Sequence, residues 1–181
     1  MTRTATAIRS ARQTVIVCSW VGLLALASAC GYRPLTGTLP GGGRTVRVVQ
    51  PDPSRTDEPG LPAMLTAELC RQLSRAGIAA STVGRAQAVL HTKILRLDAR
   101  DPMLSGARSV TAQRLQLRLE LALFDAGEQR ALWRSGLLEV EAAWPMVPVD
   151  PLRTEAARRN TLERLAAEAA RRAVTSMTLA R

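Results

Sequence analysis

Leu115, Leu117, Leu119, Leu121 and Leu123 alternate with Arg114, Gln116, Arg118, Glu120 and Ala122. A period of two over this length fits an extended strand with one apolar and one polar face. A helix would scatter the same leucines around its circumference. Such a strand needs something to cover its leucine side and leaves the other side wet. Asp125-Ala126-Gly127-Glu128 reads as a hairpin loop. Ala131 to Glu141 then returns as the partner strand, with Leu132, Leu138 and Val140 inward and Glu139 and Glu141 outward. Gly136 is the position for a bulge.

The cover comes from two helices. Leu61, Leu65, Leu69 and Leu73 recur at spacing four with Met64 and Ala76 beside them, which makes one helix face. Pro62 suits the first turn of that helix and Gly77 suits its C-terminal cap. A second helix begins at Asp150 as N-cap with Pro151 in the first turn. Leu162, Leu165, Ala166, Ala169, Ala173 and Met177 form its apolar stripe. Glu155–Arg159 and Glu168–Arg172 are spaced for i,i+4 pairs on its solvated side.

Two further strands complete the pattern. Thr45 to Val49 is a short strand closed by Pro51 and Pro53, and Ala86 to Leu97 is a longer one. Neither parity of the longer strand is cleanly apolar, which points to a bulge or to burial on both sides. Ile78 to Val83 could start another strand that Gly84 breaks, and Asp98 to Ser109, with Asp101-Pro102 and Gly106, reads as a turn region. The order β-α-β-β-β-α gives an α+β two-layer sandwich, with a largely antiparallel four-stranded sheet and two helices on one face.

Composition removes several functions. At 181 residues the chain is too short for a barrel enzyme of ~250 residues. One His and three scattered Cys do not make the common zinc frameworks, so no metal site is expected. His91 has no Cys, His or acidic cluster near it in sequence, and Gly41-Gly42-Gly43 lacks the Lys-Ser/Thr of a phosphate loop, so neither an enzyme nor a cofactor is expected. The formal charge is +10, yet Lys93 is the only lysine, and an arginine bias of that kind reflects a GC-rich genome as readily as a selected surface. Few aromatics and an export signal argue against nucleic acid.

The export signal lies at the N-terminus. Arg3, Arg9 and Arg12 form a basic region, Val15 to Leu26 an apolar run, and Ala27-Ser28-Ala29-Cys30-Gly31 a small-residue end. A Cys after small residues resembles the lipobox of bacterial lipoproteins, although Ala27 stands where Leu is usual. Cys18 is a poorer candidate because bulky Val17 precedes it. This divides the chain into a signal peptide over 1–29, a lipid-anchored flexible tether over 30–43 and one α+β domain over 44–181. With Cys30 acylated, Cys70 has no partner for an internal disulfide. An uncleaved membrane anchor over the uncharged run from Gln13 to Tyr32 is the other reading, and it too puts the domain outside the cytoplasm.

Several segments in order resemble the lipopolysaccharide-assembly lipoprotein family (LptE). They are Ala29-Cys30-Gly31-Tyr32-Arg33-Pro34-Leu35, the helix ending at Gly77-Ile78, and Ala86-Gln87-Ala88-Val89-Leu90. Leu119 to Asp125 into a hairpin, Leu132-Trp133 and the closing Ala/Arg/Leu-rich helix complete the set. Gln87 departs from the pattern, where Asp is frequent. The resemblance implies a non-enzymatic protein lipidated at Cys30 and held on the periplasmic side of the outer membrane. It further implies a partner, the large β-barrel that translocates lipopolysaccharide (LPS), which such proteins plug and help to assemble while contacting LPS. Candidates for anion contact, from the strands and the loop joining them, are Lys93, Arg96, Arg100, Arg108, Arg114 and Arg118; the guanidinium groups among them grip phosphate with paired donors. Arg114 and Arg118 would also face solvent in a strand with no ligand at all. A lipoprotein adaptor or activator of another envelope machine, such as a cell-wall synthase, is the alternative, since fold alone does not decide between partners.

Overall fold

The computed structural model describes residues 38–53, 56–104, 110–145 and 150–180. Seven elements follow in order: β1 (Thr45–Val49), α1 (Leu61–Arg75), β2 (Ala79–Ser81), β3 (Ala88–Leu104), β4 (Val110–Asp125), β5 (Ala131–Pro145) and α2 (Pro151–Leu179). The α+β class and the pair of covering helices are those the sequence patterning calls for. The sheet itself differs in detail: it has five strands in the order β2-β1-β3-β4-β5, and it is mixed. β1 runs parallel to both β2 and β3, while β3, β4 and β5 are antiparallel. The reason is the crossover. A strand followed by a helix that lies on the sheet returns in its original direction, so β1 and β2, joined through α1, are parallel.

A second difference concerns the expected turn at Asp98–Ser109. β3 runs on to Leu104 and β4 starts at Val110, with Leu104 paired to Val110. Asp101-Pro102 interrupts the register between Arg100 and Met103 without ending the strand. Proline at an irregularity does not have to donate to a ladder. The mixed parity of β3 has the same kind of cause. A bulge between Ile94 and Arg96 inserts Leu95, so the outward side changes from Val89, His91 and Lys93 to Arg96 and Asp98.

The helices cover one face. Val46 and Val48 of β1, Leu90 and Ile94 of β3, the five alternating leucines of β4, and Val140 and Trp144 of β5 are all buried beneath them. From α1 come Leu61, Leu65, Leu69 and Leu73, and from α2 Leu162, Leu165, Ala169 and Met177. Leu39 also belongs to this core at 2 % exposure, so residues just before Gly41 are packed into the domain. Cys70 sits half-buried beside the core, and burial raises its thiol pKa, as for an apolar packing side chain.

Local chemistry sets the element ends. Gly77 takes φ +78 and the Ile78 amide donates to the Leu73 carbonyl at 3.0 Å, which stops α1 and drops Ile78 into the core. The Asp150 carboxylate accepts from the Arg153 amide at 3.0 Å and caps α2. Asp125 Oδ1 accepts from the amides of Gly127 and Glu128 and closes the β4–β5 hairpin. Those amide bonds hold the Asp125 carboxyl below its ordinary range. Glu58, in the loop before α1, pairs with Arg158 of α2 and ties that loop to the helix layer. On α2, Glu168 accepts from both Arg171 and Arg172, and these bonds lower its pKa to about 2. The i,i+4 pair Glu168–Arg172 forms as its spacing suggests; Glu155 instead lies near Arg158, and Arg159 near Glu163.

Candidate functional site

The face of the sheet opposite the helices is polar and divides into two halves. In the half built from the later part of β3, the start of β4 and the end of β5, each described guanidinium faces a carboxylate. Arg96 bonds Asp98 at 2.5 Å, Arg118 lies 3.4 Å from Glu139, and Arg114 lies 3.5 Å from Glu141. Gln116 stands between the two arginines of β4 and donates to Glu141 at 2.9 Å. It is only 3 % exposed, and its Oε1 has no partner among the described residues, nor has Arg118 Nε. Cross-strand register explains the pairing. Arg118 is opposite Arg96 on one side and Glu139 on the other, and Arg114 is opposite Arg100 on one side and Ala143 on the other. Two arginines directly opposite one another repel, and the flanking carboxylates offset that repulsion.

The other half is built differently. Val89, His91 and Lys93 of β3 lie beside Phe124, Ala122 and Glu120 of β4, with Arg47 of β1 and Arg134 of β5 at the flanks. The His91 and Phe124 rings meet edge to face with centroids 5.5 Å apart. They form a ridge shared by two open depressions. One, of about 580 Å³, runs beside Arg47, Asp125 and Gln129. The other, of about 490 Å³, is walled by Lys93, Glu120, Arg134 and Gly136. Arg47, Lys93 and Arg134 form no ion pair with any described residue. Of the two carboxylates in this half, Asp125 is already committed to the hairpin amides. The cleft therefore presents cations with unfilled donor capacity next to an aromatic ridge, which suits an anionic group joined to a less polar body.

The sequence candidates are distributed unevenly over these halves. Lys93 lies in the unpaired cleft. Arg96, Arg114 and Arg118 lie in the paired lattice. Arg100 sits within β3, in register with Arg114, and not in the turn region expected over Asp98 to Ser109. Arg108 and Cys30 fall outside the described residues. Arg47, Arg134 and Phe124 are not among the sequence candidates, and His91 is weighed there only for a metal or catalytic role, because nothing in one sequence says which residues of separate strands become neighbours. The described residues include no cluster of His, Cys, Asp or Glu able to hold a metal ion, and no helix long and apolar enough to cross a membrane.

Fold and face together define a small α+β domain with helices on one face of its sheet and a polar face opposite. A profile of the lipopolysaccharide-assembly family, LptE, matches residues 43–177, and the chain belongs to that family. Its role is accordingly that of an envelope lipoprotein in LPS assembly. Solved structures of the same fold include a candidate lipoprotein from Caulobacter crescentus, with 17 % identity, TM-score 0.55, and 80 % of this chain and 90 % of that one covered. Lipoprotein B from Nitrosomonas europaea shows 18 % identity and TM-score 0.51, covering 81 % of this chain and 92 % of its own. A Xanthomonas campestris protein shows 14 % identity and TM-score 0.53, covering 78 % and 87 %. No curated protein matches the chain by sequence.

Proposed function

We propose that this protein is a non-enzymatic lipoprotein of the outer membrane that plugs and helps assemble the LPS-translocating β-barrel, and that it contacts LPS through the open face of its sheet. In this reading Cys30 carries the lipid and the domain hangs on the periplasmic side. The polar face suits a hydrated barrel lumen, whose lining is polar as well. The observation that carries the LPS contact is the set of unpaired cations, Arg47, Lys93 and Arg134, around the His91–Phe124 ridge. Phosphates on an acylated sugar would meet the cations while less polar parts lie along the rings. Arg96, Arg114 and Arg118 rank behind Lys93, because a phosphate must first displace Asp98, Glu141 or Glu139.

The partner is tested by affinity recovery of the tagged full-length chain from membranes in mild detergent, followed by mass spectrometry. A large outer-membrane β-barrel should be recovered in near-stoichiometric amount. Recovery of a peptidoglycan synthase in its place would select the adaptor reading and overturn this one.

A further inference from the structure

β5 is the last strand of the sheet, and among the described residues only β4 pairs with it. It is 15 residues long, and a free edge of that length is a template for another strand. Two side chains from α2 reach that edge. Arg172 Nη1 donates to the Glu139 carbonyl at 3.2 Å, and Arg164 Nη2 donates to the Ala143 carbonyl at 3.3 Å. Residues 139 and 143 share parity, so their carbonyls point to the same side of the strand. The spacing of the two donors matches. Eight residues of helix rise about 12 Å, and four residues of strand extend about 13 Å. Both guanidiniums are also held from behind: Arg164 Nη2 donates to Thr161 Oγ1 at 2.8 Å, and Arg172 Nε to Glu168 Oε1 at 2.7 Å.

We propose that Arg164 and Arg172 are a two-point guard that closes the β5 edge to strand addition by a second copy of this chain. The second copy is the relevant occupant because an edge strand can pair antiparallel with its own copy about a two-fold axis, with the same patch used on both sides. An incoming strand needs the carbonyls of Glu139 and Ala143 as acceptors, and a charged donor already occupies each. The opposite edge needs no such device: β2 has three residues, too few to template a stable pair.

The test is self-association of the full-length protein in mild detergent, followed by sedimentation velocity over a concentration series. R164A/R172A should dimerise more strongly than the parent, by about ten-fold for each charged hydrogen bond removed. R164K/R172K should stay close to the parent, since lysine can still cover a carbonyl. Adding E141P to the alanine pair should abolish the gain, because proline takes an amide from the same edge. If R164A/R172A keeps native circular dichroism and stays monomeric, or if its dimer survives E141P, the guard does not exist. Should the double variant fail to fold, R164A and R172A singly carry the test, each with a smaller gain; a monomer in both overturns the proposal.

Discussion

The two halves of the open sheet face use the same side-chain types to opposite effect. In the lattice half, Arg96, Arg114 and Arg118 meet Asp98, Glu141 and Glu139, so charge is dense and locally cancelled. In the cleft half, Arg47, Lys93 and Arg134 surround a histidine–phenylalanine ridge and have no carboxylate within ion-pair range among the described residues. Counting basic residues along the strands treats these halves as equal. What separates them is which carboxylate comes within ion-pair distance: Lys93 faces Glu120 across the strands without pairing, whereas Arg118 pairs with Glu139 and Arg96 with Asp98. Exposed ion pairs add little stability, at most about 1 kcal/mol each. The lattice is therefore better understood as a surface that tolerates water than as a source of binding energy.

The largest expected effect comes from reversing charge in the cleft. K93E/R134E should weaken binding of purified LPS by roughly 10- to 100-fold, the scale of one or two charged hydrogen bonds lost. R114A/R118A in the lattice should change it by less than about three-fold. Equal losses at both sites, read by titration calorimetry, would erase the distinction.

A second contrast uses Glu168, which two arginines hold at a pKa of about 2. A carboxyl with a lowered folded-state pKa binds fewer protons folded than unfolded. Its contribution to stability is complete above its ordinary value of 4.5 and is lost as pH falls toward about 2. Urea midpoints measured from pH 5 down to pH 2.5 should fall less steeply for E168Q than for the parent. Parallel curves would mean that the α2 cluster does not hold its carboxylate.

A smaller effect runs in the opposite direction. E139Q/E141Q frees Arg118 and Arg114 from their partners and should make the lattice behave more like the cleft, raising LPS affinity by about two- to five-fold, a fraction of one charged hydrogen bond. The smallest effect is the coupling between Arg118 and Glu139 themselves. A double-mutant cycle on thermal stability should return about 0–1 kcal/mol, as for other partly exposed pairs.

Much of the layer structure was readable from the chain. The alternating leucines of β4, the spacing of Leu61, Leu65, Leu69 and Leu73, and the Asp150-Pro151 helix start each state a local geometry that tertiary packing then uses unchanged. Other features are legible only in part, for physical reasons. The strand start over Ile78 to Val83 is there as β2, but at three residues it is too short to show a period or its partner. β3 continues through Asp101-Pro102 because a bulge absorbs the proline, whereas the same dipeptide in isolation signals a turn. The mixed parity of β3 points to a bulge but not to its place; it falls at Leu95 and puts Lys93 and Arg96 on one face despite an odd spacing. The candidate site was legible only in part. Lys93 stood out as the single lysine, but its companions come from β1, β4 and β5, and their proximity depends on a register that no local pattern encodes.

The proposed contact puts LPS on the cleft half of the sheet, and not on the lattice or the helix layer. Photo-crosslinking residues placed one at a time at His91, Phe124, Glu139 and Glu163 of the full-length protein in cells test this most directly. LPS adducts are expected from positions 91 and 124 and none from 139 or 163. Adducts from 139 or 163 with silence at 91 and 124 would contradict it.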